Sequence, residues 1–158
     1  MRKILAVRNS WLWFAGLLCA VAVLLSAVKV EAQAMKTTEF TQNVKSVYFP
    51  FNVYKKVTDP TVLDSDAEWL KQHADSHLWI QGYADVRGDI FYNLVLSYRR
   101  AQFVKTALAK RGVDASRIDY ATGWGKLYPV CEAHDDSCFQ KNRYVDILEP
   151  QMLMLPQM

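Results

Sequence analysis

From Val47 to Leu148 the apolar residues switch repeatedly between a spacing of two and a spacing of three to four, and few folds absorb that alternation. Val47, Phe49, Phe51 and Val53 recur at every second position, the period of a first strand with one buried face. Asp59 and Pro60 follow as N-cap and first helical residue, and Leu63, Ala67, Leu70 and Ala74 then share one helical stripe. A second strand is expected over His77–Tyr83, where Leu78, Ile80 and Gly82 alternate with Trp79, Gln81 and Tyr83. Gly88 suits a turn, Asp89 is placed to cap a long helix from Ile90 to Arg111, and Gly112 stops it. Arg117–Thr122 reads as a third strand, Gly123–Pro129 as a loop and Tyr144–Leu148 as the last strand. This order predicts a two-layer α/β domain, a mixed β-sheet with helices packed on one face, and a tail without structure over 149–158.

Residues 1–34 have a different character. Arg2, Lys3 and Arg8 precede an uncharged run from Trp11 to Val28, and Ala32-Gln33-Ala34 supplies small residues at the spacing of an export-signal cleavage site. The segment is expected to be a signal peptide cut after Ala34. The apolar run of 18 residues also reaches the lower limit for a membrane-spanning helix, so an uncleaved anchor is the alternative. Cys19 follows Leu18 where a lipid-modified cysteine needs a small residue before it, so it reads as an ordinary apolar residue. Of 19 basic residues four precede position 35, and of 16 acidic residues only Glu31 does, which leaves 15 against 15. A neutral domain lacks the basic field that nucleic acid requires.

Export sends the chain to an oxidising compartment, where Cys131 and Cys138, with six residues between them, are expected to form a disulfide. No metal or cofactor is expected. Only His134 lies near the cysteines, and His73 and His77 have no zinc-type spacing. Ser97, Thr122 and Ser137 form no nucleophile set with these histidines, which argues against a hydrolase.

The stretch Gly82-Tyr83-Ala84-Asp85-Val86-Arg87-Gly88 carries the functional signal. It puts Asp85 at the end of a strand and Arg100, fifteen residues on, in the middle of a helix, so a loop and a helix face present opposite charges to one ligand. A group bearing both an ammonium and a carboxylate suits that pair, with the Arg fork gripping the carboxylate. Asn93 precedes Arg100 by two helical turns and projects from the same face. Tyr92, Trp124 and Tyr128 read as packing residues.

Five ordered blocks resemble the OmpA-like peptidoglycan-binding domain: Gly82-Tyr83-Ala84-Asp85-Val86-Arg87-Gly88, Tyr92-Asn93, Leu96-Ser97-Tyr98-Arg99-Arg100-Ala101, Gly123 to Pro129, and Asn142-Arg143-Tyr144-Val145. The domain they mark is expected to occupy 44–148. The resemblance implies non-catalytic binding of the peptidoglycan stem peptide in the periplasm, in association with the cell wall and the outer membrane. It assigns Asp85 and Arg100 to a diaminopimelate residue, with Asn93 beside them and Arg143 adding a second positive group. Two positions depart from the family pattern, Tyr144 in place of a second Arg and Pro50-Phe51-Asn52 in place of a segment that often carries an Asp, so Asp85 is expected to hold the ammonium alone. As ligand residues, Asp85 and Arg100 are expected to be replaceable by Ala with loss of binding and little change in the thermal midpoint. Against these roles stand blander ones: an Asp85 that only forms the turn, a backbone-bonded Asn93, an Arg143 paired with Asp146 or Glu149, and a solvated Arg100. An inner-membrane anchored wall clamp is the alternative function, and a wall-modifying hydrolase a third.

Overall fold

The computed structural model describes residues 5–150, with side chains from Val23 onward. It divides into two units, Met1–Glu39 and Phe40–Met158. Helix α1 (Leu5–Asn43) makes up the described part of the first unit and contributes its last turn to the second. Among the described residues no helix is long and apolar enough to cross a membrane. Most of the apolar run 11–28, Cys19 included, lies outside the residues whose side chains are described.

The second unit contains β1 (Val47–Tyr48), α2 (Pro60–Gln72), β2 (Leu78–Gly82), α3 (Ile90–Lys110), a 3-10 turn (Ala115–Arg117), β3 (Ile118–Gly123), α4 (Asp136–Lys141) and β4 (Tyr144–Leu148). The four strands form one mixed sheet in the order β1-β4-β2-β3, in which β2 and β3 are parallel and β4 runs antiparallel to both of its neighbours. Helix α3 lies across β2 and β3, and α2 packs beside α3. Leu78 and Ile80 of β2, Val145 and Ile147 of β4, Leu63 and Leu70 of α2 and Val104 and Leu108 of α3 close the core between these layers. Each such side chain stabilises by about 1.5–3 kcal/mol when fully buried.

Local chemistry explains the element ends. Asp59 accepts from Thr61 N and Asp89 accepts from Phe91 N and Tyr92 N, so both helices start at side-chain caps. Gly112 ends α3 at φ 92°, where a side chain is disfavoured. Arg117 turns its guanidinium onto the C-terminal end of α2, donating to Leu70 O, His73 O and Ser76 O at 2.7–2.9 Å, and so satisfies carbonyls the helix leaves open.

Three expectations change. The first strand ends at Tyr48, not Val53, because Pro50 has no N–H for the ladder and Asn52 adopts φ 57°, so the chain turns away and leaves Phe51 exposed. The compact unit begins before residue 44, since Phe40 is buried in the core and packs edge-on against Trp69. Glu149, assigned to the tail, is buried and accepts a hydrogen bond from Ser76 Oγ, while 151–158 lie outside the described residues. The Cys131–Cys138 disulfide is present, and helix α4 starts inside its loop with Asp135 as N-cap.

Candidate functional site

The site is built where β2 hands over to α3. Gly82 and Gly123, paired across β2 and β3, let α3 approach the sheet closely: a Cβ on Gly82 would lie 2.1 Å from Ser97 O, and one on Gly123 2.2 Å from Tyr98 N. That approach brings Asn93 and Arg100, which flank Ser97 on the buried stripe of α3, over the loop that follows β2.

The loop carbonyls are held by side chains. Arg100 Nη1 donates to Tyr83 O at 2.9 Å, Asn93 Nδ2 to Arg87 O at 2.7 Å and to Asp85 O at 3.4 Å, and Lys126 Nζ to Val86 O and Gly88 O at 3.1 and 2.7 Å. Ala84 N donates to Gly125 O at 2.8 Å. A loop tied at so many points holds the carboxylate at its centre in a fixed place.

That carboxylate is Asp85, which is 4% exposed. Arg87 covers both its oxygens, with Nε 3.1 Å from Oδ1 and Nη2 2.8 Å from Oδ2, and Arg143 Nη1 reaches Oδ2 at 3.1 Å. Burial pushes the Asp85 pKa up, but hydrogen bonds from Arg87 and Arg143 outweigh it and hold the group below its ordinary 3.8. Arg143 continues to Phe49 O at 3.1 Å and to Gln140 Oε1, so it joins the site rather than pairing with Asp146 or Glu149. Arg87 is stacked between two rings, its guanidinium carbon 4.1 Å from the Phe51 centroid and 4.3 Å from that of Phe139.

Arg100 is fully buried, which removes the blander alternative of a solvated helix residue and runs against the expectation that its loss changes stability little. Besides Tyr83 O it donates Nε to Val53 O at 2.9 Å and Nη2 to Pro50 O at 3.1 Å, and so closes the turn after β1. Burial, reinforced by the positive Arg143 nearby, lowers its pKa from 12.5 to about 10, so it stays charged at neutral pH. Three of its five N–H hydrogens are committed, which leaves one on each terminal nitrogen.

Asp85, Asn93, Arg100 and Arg143 all line one cavity of about 140 Å³, walled also by Phe51, Asn52, Arg87 and Tyr92. One carboxylate faces three guanidiniums there, an excess of two positive charges. Tyr92, expected in the packing, is instead half-exposed on the rim and donates to Asn52 Oδ1. Ser97 Oγ donates to Leu94 O and accepts from Gly125 N, so its bonds are to backbone and not to a histidine.

A model of the OmpA family matches residues 49–143, which includes every residue of this cavity. The chain belongs to the OmpA family. It is 34% identical over 103 residues to the peptidoglycan-associated lipoprotein of Haemophilus influenzae, covering 65% of this chain and 67% of that one. It spans about half the length of other curated relatives that it matches. The crystal structure of the peptidoglycan-associated lipoprotein from Burkholderia pseudomallei superposes with a TM-score of 0.61 at 39% identity, over 66% of this chain and 88% of that one. The cell wall anchor of the T6SS from Pseudomonas aeruginosa superposes with a TM-score of 0.53 at 26% identity, over 63% and 72%.

Within this OmpA family site, Arg87, Lys126 and Phe139 are the residues that the sequence reading missed. Arg87 had a local signal, a base two residues after the acid in one loop. Lys126 lay inside the Gly123–Pro129 block, but no spacing connects it or Phe139 to Asp85.

Proposed function

We propose that this chain is a non-catalytic binder of peptidoglycan, tethered to the cell wall in the periplasm by a pocket that grips the diaminopimelate residue of the stem peptide. The convergence of Asp85, Asn93, Arg100 and Arg143 on one cavity carries the reading. Family membership and relatives named as peptidoglycan-associated support it.

Diaminopimelate ends in an ammonium and a carboxylate on one carbon. The ammonium hydrogen-bonds to Asp85, which requires Arg87 to release at least one of the two oxygens it covers. The carboxylate takes the two uncommitted N–H hydrogens of Arg100, whose other three hold the pocket wall. Asn93 spends its Nδ2 on the loop and offers Oδ1 to a ligand N–H. The remaining positive charge of Arg87 and Arg143 suits a peptide with more carboxylates than ammoniums.

Co-sedimentation with isolated diaminopimelate-type sacculi tests this. Asp85→Asn keeps the shape and removes the charge, and is expected to weaken co-sedimentation at least about tenfold. Undiminished pull-down by that variant would sink the assignment, and release of muropeptides from the sacculi would indicate catalysis instead. A retained Trp11–Val28 segment would make the same domain an inner-membrane wall clamp, a reading motivated by the length of that apolar run. The mass of the exported protein separates the two, since an intact amino terminus supports the clamp.

A further inference from the structure

The face of the sheet turned away from α3 is aromatic where an exposed sheet is ordinarily polar. Leu78 and Ile80 point into the core, so Trp79 and Gln81 stand on the opposite face, and Trp79 lies beside Tyr120 in the β2–β3 register. There Trp79, Gln81, Tyr83, Tyr120, Trp124 and Tyr128 line an open cleft of about 570 Å³, far larger than the Asp85 cavity. Tyr120 and Tyr128 are 43% and 60% exposed, so the expectation that Tyr128 is a packing residue does not hold.

We infer that this cleft is a carbohydrate subsite for the N-acetylated hexosamine backbone of peptidoglycan, which rests on the reading of the Asp85 cavity as the stem-peptide site. The walls are inclined ring pairs: Trp79 and Tyr120 have centroids 5.7 Å apart at 58°, and Trp124 and Tyr128 5.5 Å apart at 79°. Such rings offer flat faces to the C–H side of a pyranose while their polar ends stay at the edge. Hydrogen-bonding groups lie between them. Tyr83 donates its hydroxyl to Gln81 Oε1 at 2.8 Å, which leaves the Gln81 amide hydrogens for hydroxyl or acetamido oxygens. Trp124 Nε1 is buried and has no acceptor among the described residues.

Charge favours a neutral polymer. The one ionic group in the lining, Asp119, is already paired with His77 at 2.9 Å, and the arginines common in protein interfaces are missing from it. The two sites also adjoin. Tyr83 lines the cleft with its side chain and accepts from Arg100 with its carbonyl, and Asp85 follows within about 7 Å of chain. A stem peptide held at Asp85 therefore brings its own sugar strand to the end of β2, and contact at both sites raises the effective concentration at each.

The test uses the full-length protein and two probes, chitotetraose, which has no stem peptide, and a diaminopimelate tripeptide, which has no sugar. Chitotetraose is expected to shift the indole N–H resonances of Trp79 and Trp124 saturably, and Trp79→Ala to weaken that binding at least about tenfold while tripeptide affinity is unchanged. Tyr128→Ala, on an exposed ring, carries the same test if Trp79→Ala does not fold. No shift at millimolar chitotetraose, with tripeptide still bound, overturns the subsite and leaves the stem-peptide reading standing. Sugar binding without tripeptide binding does the reverse. A concentration-dependent rise in mass that Trp79→Ala abolishes, without any sugar-induced shift, assigns the face to a second copy of the chain and also overturns the subsite.

Discussion

Arg100 is the residue where ligand binding and folding are hardest to separate, and the structure sets what its removal costs. In Arg100→Ala three carbonyls, from Pro50, Val53 and Tyr83, lose a charged donor. Hydrogen bonds to charged groups contribute about 1.5–3 kcal/mol each, or about 4.5–9 kcal/mol for three. Against this stands the burden of keeping a guanidinium out of water and beside the positive Arg143. The fall from 12.5 to about 10 in its pKa corresponds to about 3 kcal/mol, which the alanine variant recovers. The difference, about 2–6 kcal/mol, is a large share of a domain's stability. At about 4 °C per kcal/mol for a domain of this size, the melting temperature should fall by about 8–24 °C. Circular dichroism melts of the wild type, Arg100→Ala and Arg100→Lys measure it. Lysine keeps the charge but cannot reach three carbonyls in three directions, so it should fall between the other two. A melting temperature for Arg100→Ala within about 2 °C of wild type would refute the reasoning, because it would mean that the three bonds do not outweigh the desolvation.

Asp66 is fully buried on α2, accepts from Lys45 N at 3.0 Å with Oδ1 and leaves Oδ2 without a donor among the described residues, and its burial pushes the pKa up from 3.8 to about 7. The folded state then holds the proton more tightly than the unfolded chain, so this group's contribution is fully present below about pH 4 and is lost as pH rises toward 7, by at most about 4 kcal/mol. Asp146 is also raised by burial and tilts the wild type the same way, so the comparison must be with Asp66→Asn, whose urea midpoint should gain on wild type at pH 8 relative to pH 5. Parallel pH profiles would count against it. Gly82→Ala should lower stability by about 3 kcal/mol or more, since its methyl would meet Ser97 O at 2.1 Å, and an unchanged urea midpoint would show that α3 is not seated as described. Thiol titration of the unfolded, unreduced protein should leave Cys131 and Cys138 unreactive, and their reduction should cost about 2–3 kcal/mol; two titratable thiols before reduction would end that expectation.

The parts of the fold that could be read from the sequence are those fixed by near neighbours. Helix α3 is bounded by its cap Asp89 and by Gly112, and β4 covers Tyr144–Leu148 as its apolar alternation indicates. Elements that failed did so where a longer-range influence won. Phe51 and Val53 keep the period of a strand, yet Pro50 breaks the ladder and Arg100, from fifty residues away, seizes the carbonyls of Pro50 and Val53. Helix α4 is too short for any periodicity to show, and only Asp135 accepting from Cys138 N marks its start. The last turn of α1 was invisible because nothing in the local pattern distinguishes Phe40, which is buried, from the exposed apolar residues before it.

The candidate site divides along the same line. Asn93 and Arg100 share a helical stripe, so their neighbourhood follows from spacing alone, and Asp85 follows from the strand end. Arg143 lies 58 residues from Asp85, and only the ordered blocks of the family brought it into consideration. What no motif conveyed is the division of labour among the arginines. Arg100 occupies a position between Ser97, Ala101 and Val104 on the buried stripe of α3, and a guanidinium among such neighbours is stable only if its donors find acceptors. Arg117 shows the same solution away from the site, three carbonyls held by one fork that closes the end of α2. Burial of the charge therefore identifies an anchor and not a ligand site. Arg100 becomes a candidate for both because it keeps uncommitted hydrogens and lines a cavity that also contains an arginine-covered carboxylate, a juxtaposition that arises only when the turn after β1, the loop after β2 and the α3 face are folded together.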